Sequence, residues 1–114
     1  MQWVKTYEEA VTQAKQQNKP MLIDVMASWC SSCKKLDRDV WTREDVGKLS
    51  RSFVAVKVDG DERPDVKKKY AVSGYPTTLL LSPQDKELDR VRGVPPVSDM
   101  LDAMRGALGT PKGK

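Results

Sequence analysis

Cys30 and Cys33, in the stretch Trp29-Cys30-Ser31-Ser32-Cys33-Lys34, are the only two cysteines in 114 residues. Two thiols at this spacing can carry out two-electron chemistry. A thiolate attacks a disulfide, and the neighbouring thiol then attacks the mixed disulfide and frees the partner. A helix starting at the motif would assist, because its free amide N–H groups and its dipole stabilise a thiolate at the first cysteine. The pattern predicts Cys30 as an exposed nucleophile and Cys33, one turn on, as a shielded resolving thiol. By itself a CxxC also suits a structural disulfide or half of a metal site. The sequence has no histidine, which excludes Cys–His nucleophilic catalysis. Nor can one copy supply four Cys or His ligands for zinc, so no metal is expected.

The elements around the motif favour the redox chemistry. Met21-Leu22-Ile23-Asp24-Val25-Met26 is a nearly continuous apolar run, the mark of a strand covered on both faces, and it leads straight into the CxxC. The helix that follows should turn Leu36 and Val40 inward, and a short one over about Asp45–Ser50 should bury Val46 and Leu49. Upstream, Thr6 and Glu9 form a capping box for a helix from about Thr6 to Gln17, stopped at Asn18-Lys19-Pro20. Phe53–Val58 is the next strand, closed by Asp59-Gly60. Pro64 opens a helix that buries Val66 and Tyr70. After the turn Gly74-Tyr75-Pro76 comes the strand Thr77–Leu81, then the tight turn Ser82-Pro83-Gln84-Asp85 and an edge strand over Leu88–Arg92. Ser98 is the expected cap of a last helix carrying Leu101, Met104 and Leu108 inward. The first half alternates helix and strand, which implies parallel strands with right-handed crossovers; the second half is a hairpin plus a helix. The class is α/β.

Composition narrows the partners. Net charge is +4, and the dense basic run Lys67-Lys68-Lys69 follows Asp61, Glu62 and Asp65. That reads as a solvated helix face rather than the basic, aromatic-interleaved surface of a nucleic-acid binder. No apolar run approaches the roughly 20 residues of a membrane span. Met1-Gln2-Trp3-Val4-Lys5 lacks the basic and apolar regions of a signal peptide. Residues 1–109 are expected to form one domain, with residues 110–114 a disordered tail.

The motifs together resemble the thioredoxin family. Asp24 through Trp29-Cys30-x-x-Cys33-Lys34 is similar to that family's strand and active-site signature, Gly74-Tyr75-Pro76-Thr77 to its cis-proline loop, and Asp24 with Lys57 to its buried aspartate–lysine pair. The likeness runs from about Lys19 to Leu108. Within the superfamily, Trp3, Glu8-Glu9-Ala10, Lys19-Pro20 and Asp37 resemble small thioredoxin-like proteins and the C-terminal domain of the bacterial transmembrane thiol:disulfide interchange reductase. The resemblance implies a thioredoxin fold, a central mixed sheet of four to five strands flanked by helices. It implies protein substrates with disulfides, an upstream thiol reductant, no cofactor, and a monomer. It favours a periplasmic setting over a cytoplasmic one.

Roles follow residue by residue. Asp24, a lone carboxylate in an apolar strand, is expected to be buried, with its titration raised by desolvation. There it could take the Cys33 proton as the mixed disulfide resolves. Lys57 either pairs with Asp24 or extends its ammonium to solvent. Asp37, four residues after Cys33, shares a helix face with both cysteines, where its charge would oppose a thiolate. Cis-Pro76 would present the Tyr75 backbone to a substrate strand, beside Thr77, with Trp29 and Tyr75 as an apolar collar. Ser31-Ser32 stands where the family's reductants carry Gly-Pro, and no His occupies the motif as in strong oxidants. The expected activity is therefore reduction of protein disulfides. The alternatives are a disulfide oxidase or isomerase, and a non-enzymatic peptide-binding module.

Overall fold

Side chains alternate across a strand, and here the two alternating sets both find cover. The computed structural model, which describes residues 1–109, places five strands in one sheet. In chain order the elements are β1 (Trp3–Val4), α1 (Tyr7–Gln17), β2 (Met21–Met26), α2 (Ser31–Leu36), α3 (Glu44–Ser50), β3 (Val54–Asp59), α4 (Pro64–Lys69), β4 (Thr77–Leu81), β5 (Glu87–Arg92) and α5 (Val97–Ala107). A π-helical turn, Asp37–Trp41, continues α2. Strand order is β1-β3-β2-β4-β5. β1, β3 and β2 run parallel, β4 is antiparallel to β2, and β5 is antiparallel to β4. This is the expected α/β mixed sheet. No helix among the described residues is long and apolar enough to cross a membrane.

Ile23, Val25, Val56, Val58, Leu79 and Leu81 pack against Ala10 and Ala14 of α1 and Val66 of α4. Leu22, Ala55 and Leu80 face the other way, toward Leu36, Val40, Trp41, Met100 and Met104. β2 is therefore covered on both faces, as its unbroken apolar run requires. Asp24 belongs to the second set by parity. It is opposite Lys57 on β3 and Thr78 on β4.

Several local expectations hold and several are corrected. Thr6 caps α1, its hydroxyl accepting the Glu9 N–H at 3.1 Å, and Pro64 stands in the first turn of α4. Ser98 does not cap α5. Pro96 holds that position without a side-chain hydrogen bond, and the helix is already under way at Val97. β1 was not expected, because two residues carry no periodicity; it exists by pairing Trp3 and Val4 with Ala55 and Val56. The helix after the CxxC turns Leu36 and Val40 inward as expected, but it is not regular to its end. Its π-turn brings the adjacent residues Val40 and Trp41 both inward. The basic run is partly engaged: Lys69 pairs with Asp85 at 2.6 Å, and the Lys67 ammonium lies 4.9 Å from the Tyr75 ring centre. The expected tail, residues 110–114, lies outside the described residues.

Candidate functional site

The CxxC lies where a buried strand hands over to a helix. Cys30 is the N-cap of α2, in extended conformation, and its Sγ accepts the backbone N–H of Cys33 at 3.1 Å. A sulfur thus fills the place a capping oxygen usually takes, and one of the helix's free amide donors is spent on it. Both cysteines are free thiols. The expectation of an exposed Cys30 is corrected: Cys30 is only 5% exposed and Cys33 3%. The helix start fixes where Cys30 sits along the chain, but Ala27, Met26 and Tyr75 pack around the thiols and close over them. Burial, then the hydrogen bond with Cys30, pushes the Cys33 thiol up to about 12.

Beneath the thiols lies a charge cluster, buried at Asp24 and half-buried at Lys57 and Asp37. Asp24 is fully buried. Its Oδ2 accepts from Lys57 Nζ at 3.0 Å and from the Trp41 indole N–H at 3.2 Å. Burial raises the Asp24 titration above the ordinary carboxylate range; the charge and hydrogen bond of Lys57 pull it back only in part. Burial alone would depress Lys57, but Asp24 and Asp37 outweigh it and hold the ammonium above its usual value. Asp37 meets the other side of the Lys57 ammonium. Its carboxylate thus faces a cation. Lys57 also lies 4.8 Å from the Trp3 ring centre, and Trp3 packs edge-on against Trp41 at 5.6 Å.

Above the thiols, Trp29 is 68% exposed. Its ring meets Tyr75 in an edge-on contact at 5.8 Å. The Tyr75–Pro76 peptide is cis. Thr77 is buried, with its hydroxyl donating back to the Gly74 carbonyl at 2.8 Å, so it closes the loop instead of lining the mouth. The sequence reading overlooked Asp61. Its Oδ2 accepts the Trp29 indole N–H at 2.6 Å and its Oδ1 the Tyr75 hydroxyl at 3.0 Å. The Trp29 and Tyr75 hydrogen bonds hold its carboxyl below the ordinary range. Asp61 is set by a turn in which Asp59 Oδ1 accepts the Asp61 N–H at 2.9 Å. Gly60 leaves room for this arrangement, because a Cβ there would stand 2.4 Å from the Tyr75 hydroxyl oxygen and push the ring aside. One sequence signal could have found Asp61: it follows the C-terminal end of a parallel strand, where open α/β sheets gather ligand-contacting loops.

The sheet and loops thus bring Cys30, Cys33, Asp24, Lys57, Asp37, Trp29, Tyr75 and Pro76 into one region, and add Trp41, Trp3 and Asp61. The Asp61 tether yields a first expected result. Asp61→Ala should move the Trp29 indole N–H proton resonance upfield and leave those of Trp3 and Trp41 in place, with Trp29→Phe supplying the assignment. Stability should change little, since the Asp61 carboxylate and the Trp29 ring are exposed to solvent.

Comparison with known proteins agrees with this geometry. Residues 2–83 match the family model described as thioredoxin-like. Human spermatogenesis-associated protein 20 is 36% identical over 90 residues, covering 71% of this chain and 12% of that protein. The thiol:disulfide interchange protein DsbD of Ralstonia nicotianae is 30% identical over 116 residues, covering 97% of this chain and 19% of that protein. The chain thus spans less than a fifth of the length of either relative. Among solved structures, a thioredoxin from Thermus thermophilus superposes with a TM-score of 0.84 at 24% identity, covering 95% of this chain and 88% of that one. With a CxxC at a helix start, a cis-proline loop beside it and a family match over most of its length, the chain belongs to the thioredoxin-like family.

Proposed function

We propose that this chain reduces disulfides in protein partners by dithiol–disulfide exchange, with Cys30 as nucleophile and Cys33 as resolving thiol. The observation that carries the reading is Cys30 Sγ at the N-cap of α2, holding the Cys33 amide at 3.1 Å. A thiolate formed there meets an amide dipole already oriented toward it. Asp24 acts as the base that relieves Cys33 of its proton, Lys57 offsets its charge and is held from the other side by Asp37, and Trp29 and Tyr75 line the mouth where a partner docks. The Ralstonia relative bears the name of a thiol:disulfide interchange protein, and the same chemistry is carried over to this chain.

The direction of transfer rests on which state the site stabilises. Strong oxidants owe their potential to a stabilised reduced form. Here burial holds Cys33 as a neutral thiol, with the carboxylate of Asp24 beneath, so the dithiol gains little. Electrons then leave toward the partner and are replenished by an upstream thiol reductant. Equilibration with glutathione or dithiothreitol buffers should give a potential below about −230 mV, on the reducing side of the known range. A value above about −180 mV would reverse the assignment in favour of an oxidase or isomerase.

A further inference from the structure

Lys57, Asp24 and Thr78 form one polar row across three strands, on the sheet face that carries Leu22, Ala55 and Leu80. Thr78 is opposite Asp24 on β2 and Val91 on β5. Directly opposed residues of an antiparallel pair share a face, with Cβ atoms about 4.5–5.5 Å apart. Asp24 and Thr78 are both fully buried. Among the described residues, Asp24 Oδ1 and Thr78 Oγ1 are the two buried side-chain polar atoms without a hydrogen-bond partner. Such groups are rarely left unpaired in an interior, because each costs a substantial desolvation penalty. Two of them, on facing side chains, point to a shared purpose.

The other oxygen of Asp24 narrows that purpose. Oδ2 already accepts from the Lys57 ammonium and the Trp41 indole. A proton arriving on Asp24 is therefore best carried by Oδ1. We propose that Thr78 is a positioning residue for the proton step: its hydroxyl serves Asp24 Oδ1, as donor while the carboxylate is charged and as acceptor once it is protonated. A hydroxyl suits both states, since it rotates to offer either its proton or a lone pair. The two oxygens are not bonded to each other in this structure, so the contact requires a side-chain rotation or a bridging water during turnover. The proposal rests on the reductase reading above.

The step it serves balances as follows. In the mixed disulfide, Cys30 Sγ is bonded to a partner sulfur. Cys33 gives its proton to Asp24 Oδ1 and its thiolate attacks Cys30 Sγ. The Cys30–Cys33 bond forms, the bond from Cys30 to the partner breaks, and the partner leaves as a thiolate. The two cysteines are oxidised by two electrons and the partner disulfide is reduced by two. The partner thiolate is protonated by solvent, and Asp24 later returns its proton to water. The titratable groups that face Asp24 are Lys57 from β3, Asp37 from the π-turn and Cys33 from α2. Thr78 adds no charge and so tunes Asp24 without competing for the proton.

The test is Thr78→Val, which keeps the branched shape beside Val91 and removes the hydroxyl. Reduced protein is mixed with a disulfide-linked peptide, quenched with acid, and the mixed disulfide followed by mass. Resolution at pH 7 should be roughly tenfold slower than in the parent, the worth of one hydrogen bond to a charged group. Its pH–rate profile should move toward alkaline pH, because Asp24 loses a donor to its charged form. Thr78→Ser should restore both rate and profile. A parent-like profile in Thr78→Val, or failure of Thr78→Ser to restore it in a protein with the parent's melting temperature, would overturn the proposal and leave the reductase reading intact. A parent that forms no mixed disulfide at all would overturn both.

Discussion

Cys33→Ser should capture a disulfide-bearing partner as a long-lived adduct on Cys30. In the parent the adduct is transient, because Cys33 attacks Cys30 and expels the partner. Serine's hydroxyl is not ionised near neutral pH, and the sequence offers no third cysteine. Release should slow by at least about a thousandfold, leaving external thiol as the remaining route. Non-reducing gels of extract exposed to the Cys33→Ser protein should show adducts that dithiothreitol removes. They should be absent from Cys30→Ser/Cys33→Ser. Identical bands from the double variant would mean that association does not pass through Cys30, and a peptide-binding module would then describe the chain better. The burial of both sulfurs adds a kinetic expectation: partner attack requires Cys30 to be reached past Tyr75 and Met26.

Asp24→Asn should make the protein more stable and less active at once. Asp24 is fully buried and its titration is raised above that of an unfolded chain. A group with a raised folded-state pKa favours folding while it is protonated. That contribution is complete below the unfolded value of about 3.9 and is lost as pH rises through the folded value. Above its raised titration the parent therefore bears the cost of a buried carboxylate that Asn does not. The gain should be on the order of 2 kcal/mol, or roughly 5–10 °C in Tm. Lys57 retains Asp37 as a partner, so no cation is stranded. The advantage should be full above the raised Asp24 titration and should vanish as pH falls toward 4. Thermal melts across this range provide the check, and a constant difference at every pH would count against the buried charge as its source. Resolution of the mixed disulfide should meanwhile slow about a hundredfold, the lower range for loss of a general base.

What the sequence disclosed follows how local each signal is. The CxxC at the end of an apolar run placed Cys30 at a helix start, and the structure has it there as the N-cap. Asp24 stood out because a lone carboxylate in Met21–Met26 has no exposed face to occupy, and it is buried. The cis bond at Pro76 came through family likeness alone. The features that escaped are products of tertiary contact. Cys30 was expected to be exposed because a helix N-terminus usually is, yet Tyr75, 45 positions away in sequence, helps to close over it. Asp61 and Trp29 meet across 32 positions. Trp41 was hidden by phase: a regular helix with Leu36 and Val40 inward would direct the next residue elsewhere, and the π-turn brings it to Asp24. Ser98 had the right chemistry for a cap, but the chain enters α5 two residues sooner than such a cap allows.

That π-turn makes the segment after the motif sensitive to length in a way its side chains do not reveal. Asp37–Trp41 holds one residue more per turn than the helix it extends. Single replacements at its outward positions, such as Arg38 or Asp39, leave the winding untouched. Losing a residue within it turns this wide turn into an ordinary helical one, so the segment downstream keeps its phase but one inward position is lost. Val46 and the rest of α3 would stay in phase with α5, but Val40 and Trp41 could no longer both reach inward, so either the core or the indole on Asp24 gives way. The buried aspartate is therefore held by a count of residues as much as by the chemistry of its neighbours. Among sequences of this pattern, spacing from Cys33 to the indole is the trait to compare, ahead of the identity of any residue between them.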